Sequence, residues 1–530
     1  MKVFRTAMLA SAAALTASGG ALAADLPTRK AAPVQYVKIC DVYGTGFFYI
    51  PGTDTCLRIG GAVRSEIAIS NTPYRVNTPN LNVAGGVTNT TFAAIAAGLG
   101  NVPGLIPGAS RDAVGWSAEG RIELDARTQS PWGTVRSFLR VVSYFGSGAT
   151  GNTGALSNGI LGLPALGTQA ARESVILDKG FIQFAGLTMG RTQSFFDFFA
   201  NAIGYTGLRG SVQTVNALGY TAVLGGGFSA TLAIEDSVSH RAPGGNVVAL
   251  NTPLVVGAPM SQYLGTRMPD IVANLRLDQP WGSAQLSGAV HQVGVGLFNT
   301  GGLVFAAAPP ASAMVLSRAD KPGFAVQAGV KFNLDMLAKG DVLWLQATFA
   351  RGAMGYVDGN DLSYNGGVGS TTGYGIGAGR VSSGNGWHGG SLEADCVWTY
   401  SGSCEMGKAF AVVGAFRHFW TPSLSSTLTG NYYQVNYSAN ALNPAAGALA
   451  LGSANFGVGV TNYKEIQLAT GLIWNPVKDF EIGTEFTWQH GVTSRPVGLA
   501  SDLALFALGM PAFKSQADLY RLRLRAARAF

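Results

Sequence analysis

Along this chain, apolar and polar residues alternate one by one over many separate stretches. In residues 57–69, Leu57, Ile59, Val63, Ile67 and Ile69 share one parity, and Arg58, Gly60, Ala62, Arg64 and Glu66 share the other. Further on, Ile122, Leu124 and Ala126 alternate with Glu119, Arg121, Glu123, Asp125 and Arg127. The same holds for Phe324, Val326, Ala328, Val330 and Phe332 against Gln327, Lys331 and Asn333, and for Phe480, Ile482, Phe486 and Trp488 against Glu481, Glu485 and Gln489. A period of two is the signature of a strand with two different faces. It predicts sixteen strands, over 57–69, 114–128, 134–145, 174–185, 187–193, 215–224, 228–237, 269–278, 283–293, 323–333, 341–351, 408–420, 424–437, 462–474, 479–490 and 516–530.

A soluble sandwich also alternates, so other features must decide. Most of the predicted strands are about 10–14 residues long, against a usual length of about 5–6 in soluble sheets; about 9–11 tilted residues cross a bilayer. Short turns follow every even-numbered strand and long loops every odd-numbered one, the two unequal rims of an outer-membrane barrel. The turns carry aromatics beside strand-ending Pro or Gly, in Pro131-Trp132-Gly133, Pro280-Trp281-Gly282, Trp420-Thr421-Pro422 and Trp474-Asn475-Pro476, as an interfacial girdle requires. Hydrocarbon offers no partner for a free backbone N–H, so a membrane-spanning sheet must close on itself. The predicted fold is all-β: a 16-stranded antiparallel transmembrane β-barrel with short periplasmic turns and long extracellular loops. Its apolar parity faces lipid and its Arg/Glu/Gln parity faces a lumen wide enough for water.

Composition agrees. Of 530 residues, 12% are charged and 73 are glycine, about half the charge and twice the glycine of a soluble domain. No stretch after residue 24 reads as a membrane helix. Met1–Arg5, the apolar run 6–17 and Ala21-Leu22-Ala23 read as a signal peptide over 1–23, followed by a periplasmic N-terminal segment, 24–56, and the barrel, 57–530. Cleavage removes Lys2 and Arg5 and lowers the formal charge from +7 to +5. This modest excess, with no polybasic run outside the C-terminus, does not point to nucleic acid. Four cysteines in an exported chain favour two disulfides, and local pairing gives Cys40–Cys56 and Cys396–Cys404. A zinc site is the rival reading; neither pair has CxxC spacing or nearby ligand histidines. No metal or cofactor is expected: the histidines (240, 291, 388, 418 and 490) are scattered, Asp358–Asp361 lacks the full calcium-loop spacing, and the Gly-rich 373–379 stretch has no strand-to-helix context.

Ala24-Asp25-Leu26-Pro27, the run from Cys40 through Phe47-Phe48-Tyr49-Ile50-Pro51 to Cys56-Leu57-Arg58-Ile59-Gly60-Gly61, and Gly190-Arg191-Thr192-Gln193-Ser194-Phe195-Phe196-Asp197 together resemble the general porins of alphaproteobacterial outer membranes. The resemblance is tight over about residues 24–66 and 174–200. It implies a homotrimer in outer-membrane lipid and lipopolysaccharide, passing small hydrophilic solutes and ions by passive diffusion. It also implies that the third long loop, 194–214, folds inward as a constriction. Asp197 is the only acid in that loop and is the expected acidic contribution, with Arg191 at its root. Facing it, parity places Arg58, Arg64, Arg121, Arg127, Arg136, Arg140, Arg521, Arg523 and Arg525 in the lumen. Mid-strand position favours Arg64, Arg121, Arg140, Arg521 and Arg523 at the waist. Clustered guanidiniums bias a watery path towards anions, unless each pairs with Glu66, Glu119, Glu123 or Asp125 on a neighbouring strand. The last strand, from Tyr520 to Phe530, has the alternation and terminal aromatic of a strand read by the outer-membrane insertion machinery.

Other functions fit less well. An outer-membrane hydrolase needs a nucleophile–base pair that does not stand out here, so no enzyme is expected. An energy-coupled transporter needs a plug domain, for which 24–56 is too short. A substrate-specific, sugar-type channel with a luminal aromatic track is the closest alternative, and an adhesive barrel displaying its eight long loops is another.

Overall fold

The computed structural model describes residues 38–70, 114–148, 172–242, 259–263, 267–299, 314–357, 394–398, 404–442, 462–494 and 515–530. The signal-peptide expectation, Asp358–Asp361, Gly373–Gly379, His388 and most of the 352–407 loop lie outside these residues.

Sixteen antiparallel strands form the barrel: β1 Cys56–Ser70, β2 Val114–Ser130, β3 Gly133–Gly148, β4 Arg172–Phe184, β5 Leu187–Gln193, β6 Thr214–Gly225, β7 Phe228–Glu235, β8 Asp270–Gln279, β9 Gly282–Asn299, β10 Met314–Asn333, β11 Val342–Arg351, β12 Lys408–Thr421, β13 Leu424–Asn436, β14 Tyr463–Val477, β15 Phe480–Thr493 and β16 Gln516–Ala529. Each pairs with the next, and β16 closes on β1 from Ala62↔Ala529 to Ser70↔Arg521. The C-terminal residue completes the seam, since Gly61 and Phe530 exchange N–H···O bonds of 3.1 and 3.0 Å. Closure leaves no free sheet edge in the hydrocarbon. Among the described residues no helix is long and apolar enough to cross a membrane.

All sixteen strands stand where the alternation places them, with the clearest shift at β10, which starts at Met314 rather than 323. There the β9–β10 pair runs on through Leu297↔Ser317, and Pro259–Tyr263 adds to β9. Extra backbone partners, not a longer apolar run, extend the ladder. Ile59, Val63, Trp116, Ile122, Leu275 and Leu286 are exposed on the outer face, while Glu66, Glu119 and Asp125 are buried on the inner one. The short-turn rim exposes Trp132, Trp281, Trp420 and Trp474, where an indole can rest at the lipid–water boundary. One of these turns depends on Gly282: φ is +147° and a Cβ would stand 1.8 Å from the Lys331 carbonyl oxygen. Both expected disulfides are present, Cys40–Cys56 and Cys396–Cys404; the second clasps a small hairpin of Cys396–Trp398 and Cys404–Met406.

Candidate functional site

The segment between β5 and β6 enters the lumen and is bonded to its wall almost residue by residue. Ser194 Oγ and the Phe195 N–H donate to Glu235 of β7, both at 2.8 Å. Asn274 of β8 donates to the Phe195 carbonyl (2.6 Å), Gln327 of β10 to that of Phe196 (2.9 Å) and Gln285 of β9 to that of Asp197 (3.0 Å). The Phe199 N–H donates to Gln346 Oε1 of β11 (3.0 Å). The Tyr205 N–H and Thr206 hydroxyl both donate to Glu485 of β15 at 2.6 Å. Arg209 places a two-pronged guanidinium on Glu465 of β14, at 3.1 and 2.8 Å, and its N–H donates to Asn431 of β13 at 3.2 Å. A loop backbone away from bulk water must find such partners, and the wall supplies them as carboxylates and amides on its inward parity.

Three inward glycines make room for the loop's rings. A Cβ at Gly219 would lie 2.6 Å from the Phe195 ring, one at Gly329 2.2 Å from the Phe198 ring, and one at Gly483 1.9 Å from the Tyr205 hydroxyl. Phe198 and Phe199 also meet Trp344 edge-on at 5.0 and 5.7 Å. Gly329→Ala is therefore expected to lift Phe198 off the wall at a cost of about 1–3 kcal/mol. Single-channel recordings should show added current noise, and a quiet channel would show that the socket is not needed.

The loop thus lies along the arc from β7 to β15. Opposite it, β1–β4 form a wall of paired charges. Arg64 pairs with Glu119, which also takes Arg121 at 3.3 Å. Arg140 pairs with Asp178 and stands 3.5 Å from Glu123. Asp125 holds Arg127 at 2.8 Å and Arg136 at 3.0 Å. The two partners are unequally wet: Arg121 is 33% exposed against 7% for Glu119, and Arg136 28% against 1% for Asp125. Glu119 and Asp125 lie behind and their guanidiniums meet the water, whereas Glu123, 26% exposed against 19% for Arg140, reaches the water itself.

The other expected site residues fall elsewhere. Arg521 and Arg523 are 1% exposed; Arg523 Nη1 donates to the Tyr205 carbonyl at 2.5 Å, and Arg525 lies 3.8 Å over the Tyr205 ring. Glu66 anchors this group, 2.9 Å from Arg525 and 3.4 Å from Arg523. Arg523 and Arg525 are bound up with the loop, and Arg521 is buried beside them on the same strand, rather than turned to open water. Arg191 donates from Nε to the Leu177 carbonyl at 3.0 Å and is not gathered with the wall. Asp197 sits at the loop's root, accepting from Gln193 Nε2 and, at 2.8 Å, from the Gln213 N–H. The loop's anchoring pairs, Arg209 with Glu465 and Tyr205 and Thr206 with Glu485, carry no local sequence signal; a glycine on an otherwise polar inward parity, as at Gly329 and Gly483, is the one visible mark.

Burial pushes the Asp197 carboxyl up to about 6, against the pull of its hydrogen bonds and of Lys179. As pH falls through about 6 the loop root loses a negative charge, so the local potential becomes more positive. The chloride-over-potassium permeability ratio is expected to rise between pH 7 and pH 5 and to stay flat in Asp197→Asn; zero-current potentials in a salt gradient measure both.

The sequence pattern of the porin subfamily matches residues 25–504 of this chain. The chain belongs to the porin subfamily. Among characterised proteins, this porin is similar to porin Omp2b of Brucella canis and of Brucella abortus, each 28% identical over 290 residues, or 53% of this chain and 63% of the relative. It thus spans less than two thirds of the length of these curated relatives. Among solved structures, the outer membrane channel DcaP of Acinetobacter baumannii has the same fold, with TM-score 0.50 and 16% identity, over 91% of this chain and 99% of that one. Membership of the subfamily puts this porin in the bacterial outer membrane.

Proposed function

We propose that this porin forms a water-filled channel for passive diffusion of small hydrophilic solutes and ions, with a preference for anions. The observation that carries this reading is the division of the lumen, with a loop seated on the β7–β15 arc facing the guanidiniums of Arg64, Arg121, Arg127 and Arg136, which stand in front of the more buried Glu119 and Asp125. Water-facing positive charge raises the local concentration of anions and lowers that of cations. The sugar-type alternative needs an open aromatic track, whereas Phe196, Phe198 and Phe199 are buried in the loop's seat. Outer-membrane lipid and lipopolysaccharide around the apolar band, and three copies in the assembly, belong to the same proposal.

The test is planar-bilayer conductance of the full mature chain under a salt gradient. Stepwise openings in threes, a chloride-selective zero-current potential and no saturable block by sugars are the expected results. Folded, heat-modifiable protein that carries no current would overturn the channel reading. Current blocked saturably by a sugar would replace the general channel by a specific one.

A further inference from the structure

The chain just before β1 folds back on the barrel. Phe48 and Tyr49 pair antiparallel with Leu57 and Cys56, Ile39 bridges to Phe48, and the Cys40–Cys56 disulfide closes the loop. Its contacts settle which side of the wall it covers. Phe47 is 3% exposed, with its ring 4.9 Å from the Arg127 guanidinium and 5.5 Å from that of Arg58. The Tyr43 hydroxyl donates to Gln129 Oε1 at 3.3 Å. Arg58, Arg127 and Gln129 all stand on the luminal parity of β1 and β2, next to the short-turn rim. The folded-back segment therefore lies inside the mouth, not around it. Packed β layers sit about 10 Å apart, so it occupies about that depth of the opening. Its tip, including Asp41, Val42 and Thr45, is exposed.

We propose that this disulfide-closed segment is a second constriction, at the periplasmic mouth, and that its exposed tip is a selectivity element in series with the inward-folded loop. The aromatic face fastens it to Arg58 and Arg127, and the disulfide keeps its root from lifting. A solute that has passed the first narrowing meets this tip before it leaves. The proposal rests on the channel reading, and its test is separable from that one because the unaltered porin is recorded alongside.

Thr45→Lys and Thr45→Glu place opposite charges on the tip without touching the disulfide or the Phe47 seat. If the tip borders the current path, both charges act within about one Debye length of passing ions. The chloride-over-potassium permeability ratio of the Lys form should then exceed that of the Glu form by about twofold. Cys40→Ser combined with Cys56→Ser should raise single-channel conductance, by about a quarter or more, as the root loosens. Equal zero-current potentials in the two Thr45 variants, each folded by heat-modifiable migration, would overturn the proposal. If the double Ser variant fails to fold, the Thr45 pair still decides. An unaltered porin without current would instead defeat the channel reading.

Discussion

Arg209→Ala is expected to release the inward-folded loop and to turn a quiet channel into a noisy one of higher conductance. The guanidinium is 4% exposed and its partner Glu465 is fully buried, and the ring of Tyr433 lies 4.5 Å from the guanidinium carbon. Removing one member of a buried pair leaves the other uncompensated, a loss of about 3–5 kcal/mol. The loop can avoid that loss only by opening a path for water to Glu465. Such an opening would disturb the neighbouring bonds of Asn431 to the Arg209 N–H and of Gln467 to the Gly207 carbonyl. Single-channel recordings should show larger openings with frequent sub-states, and thermal melting should occur earlier than in the unaltered protein. Adding Glu465→Gln to Arg209→Ala removes the stranded charge and should recover part of the thermal stability while leaving the loop unpinned. A variant with unaltered current and unaltered melting would mean that the remaining bonds along the arc hold the loop without this pair.

The barrel was legible because each strand carries its own record: parity tells lipid from lumen within one segment, whatever the rest of the chain does. The loop's seat has no such record. Arg209 meets Glu465 across 256 residues, and Tyr205 meets Glu481 across 276; a pair at that distance leaves no local spacing to read. Parity placed Arg521 and Arg523 inside the barrel, but could not show that Tyr205 and Glu66 take up Arg523. At Arg191, position along the chain suggested the lumen, and the side chain instead caps the Leu177 carbonyl near a register shift in β4, where Arg140 pairs with Lys179 and Val141 with Leu177. A bulge adds one residue to one strand and re-aims the side chains around it, which no count of alternating residues predicts. The folded-back segment before β1 was legible only as a pair of cysteines; its luminal side follows from the parity of Arg58 and Arg127.

Neutralising Arg121 and Arg136 together is expected to shift ion preference towards cations without unseating the loop or the wall. Both are among the better exposed guanidiniums of β2 and β3, and each shares its carboxylate with another arginine. With Arg121→Gln, Glu119 keeps Arg64 and Glu123 keeps Arg140; with Arg136→Gln, Asp125 keeps Arg127. No buried carboxylate is stranded, so the change acts on the water-filled path rather than on stability. A unit charge about 10 Å from an ion in water is worth about 0.4 kcal/mol before salt screening. Two such charges act with opposite sign on the two ions of the salt, and screening at about 0.1 M removes more than half of the effect. The chloride-over-potassium permeability ratio should therefore fall by about two- to fourfold, and the fall should deepen as salt is diluted. The dilution series separates the two origins of selectivity. A ratio that changes by the same factor at every salt concentration would point to a change in the width of the path, whereas one that grows as the Debye length grows can come only from the lost charge. Glu123→Gln, which removes the most exposed carboxylate of the β2 pairs, should move the ratio the other way. If both substitutions moved it in the same direction, guanidiniums in front of carboxylates could not be what sets the preference.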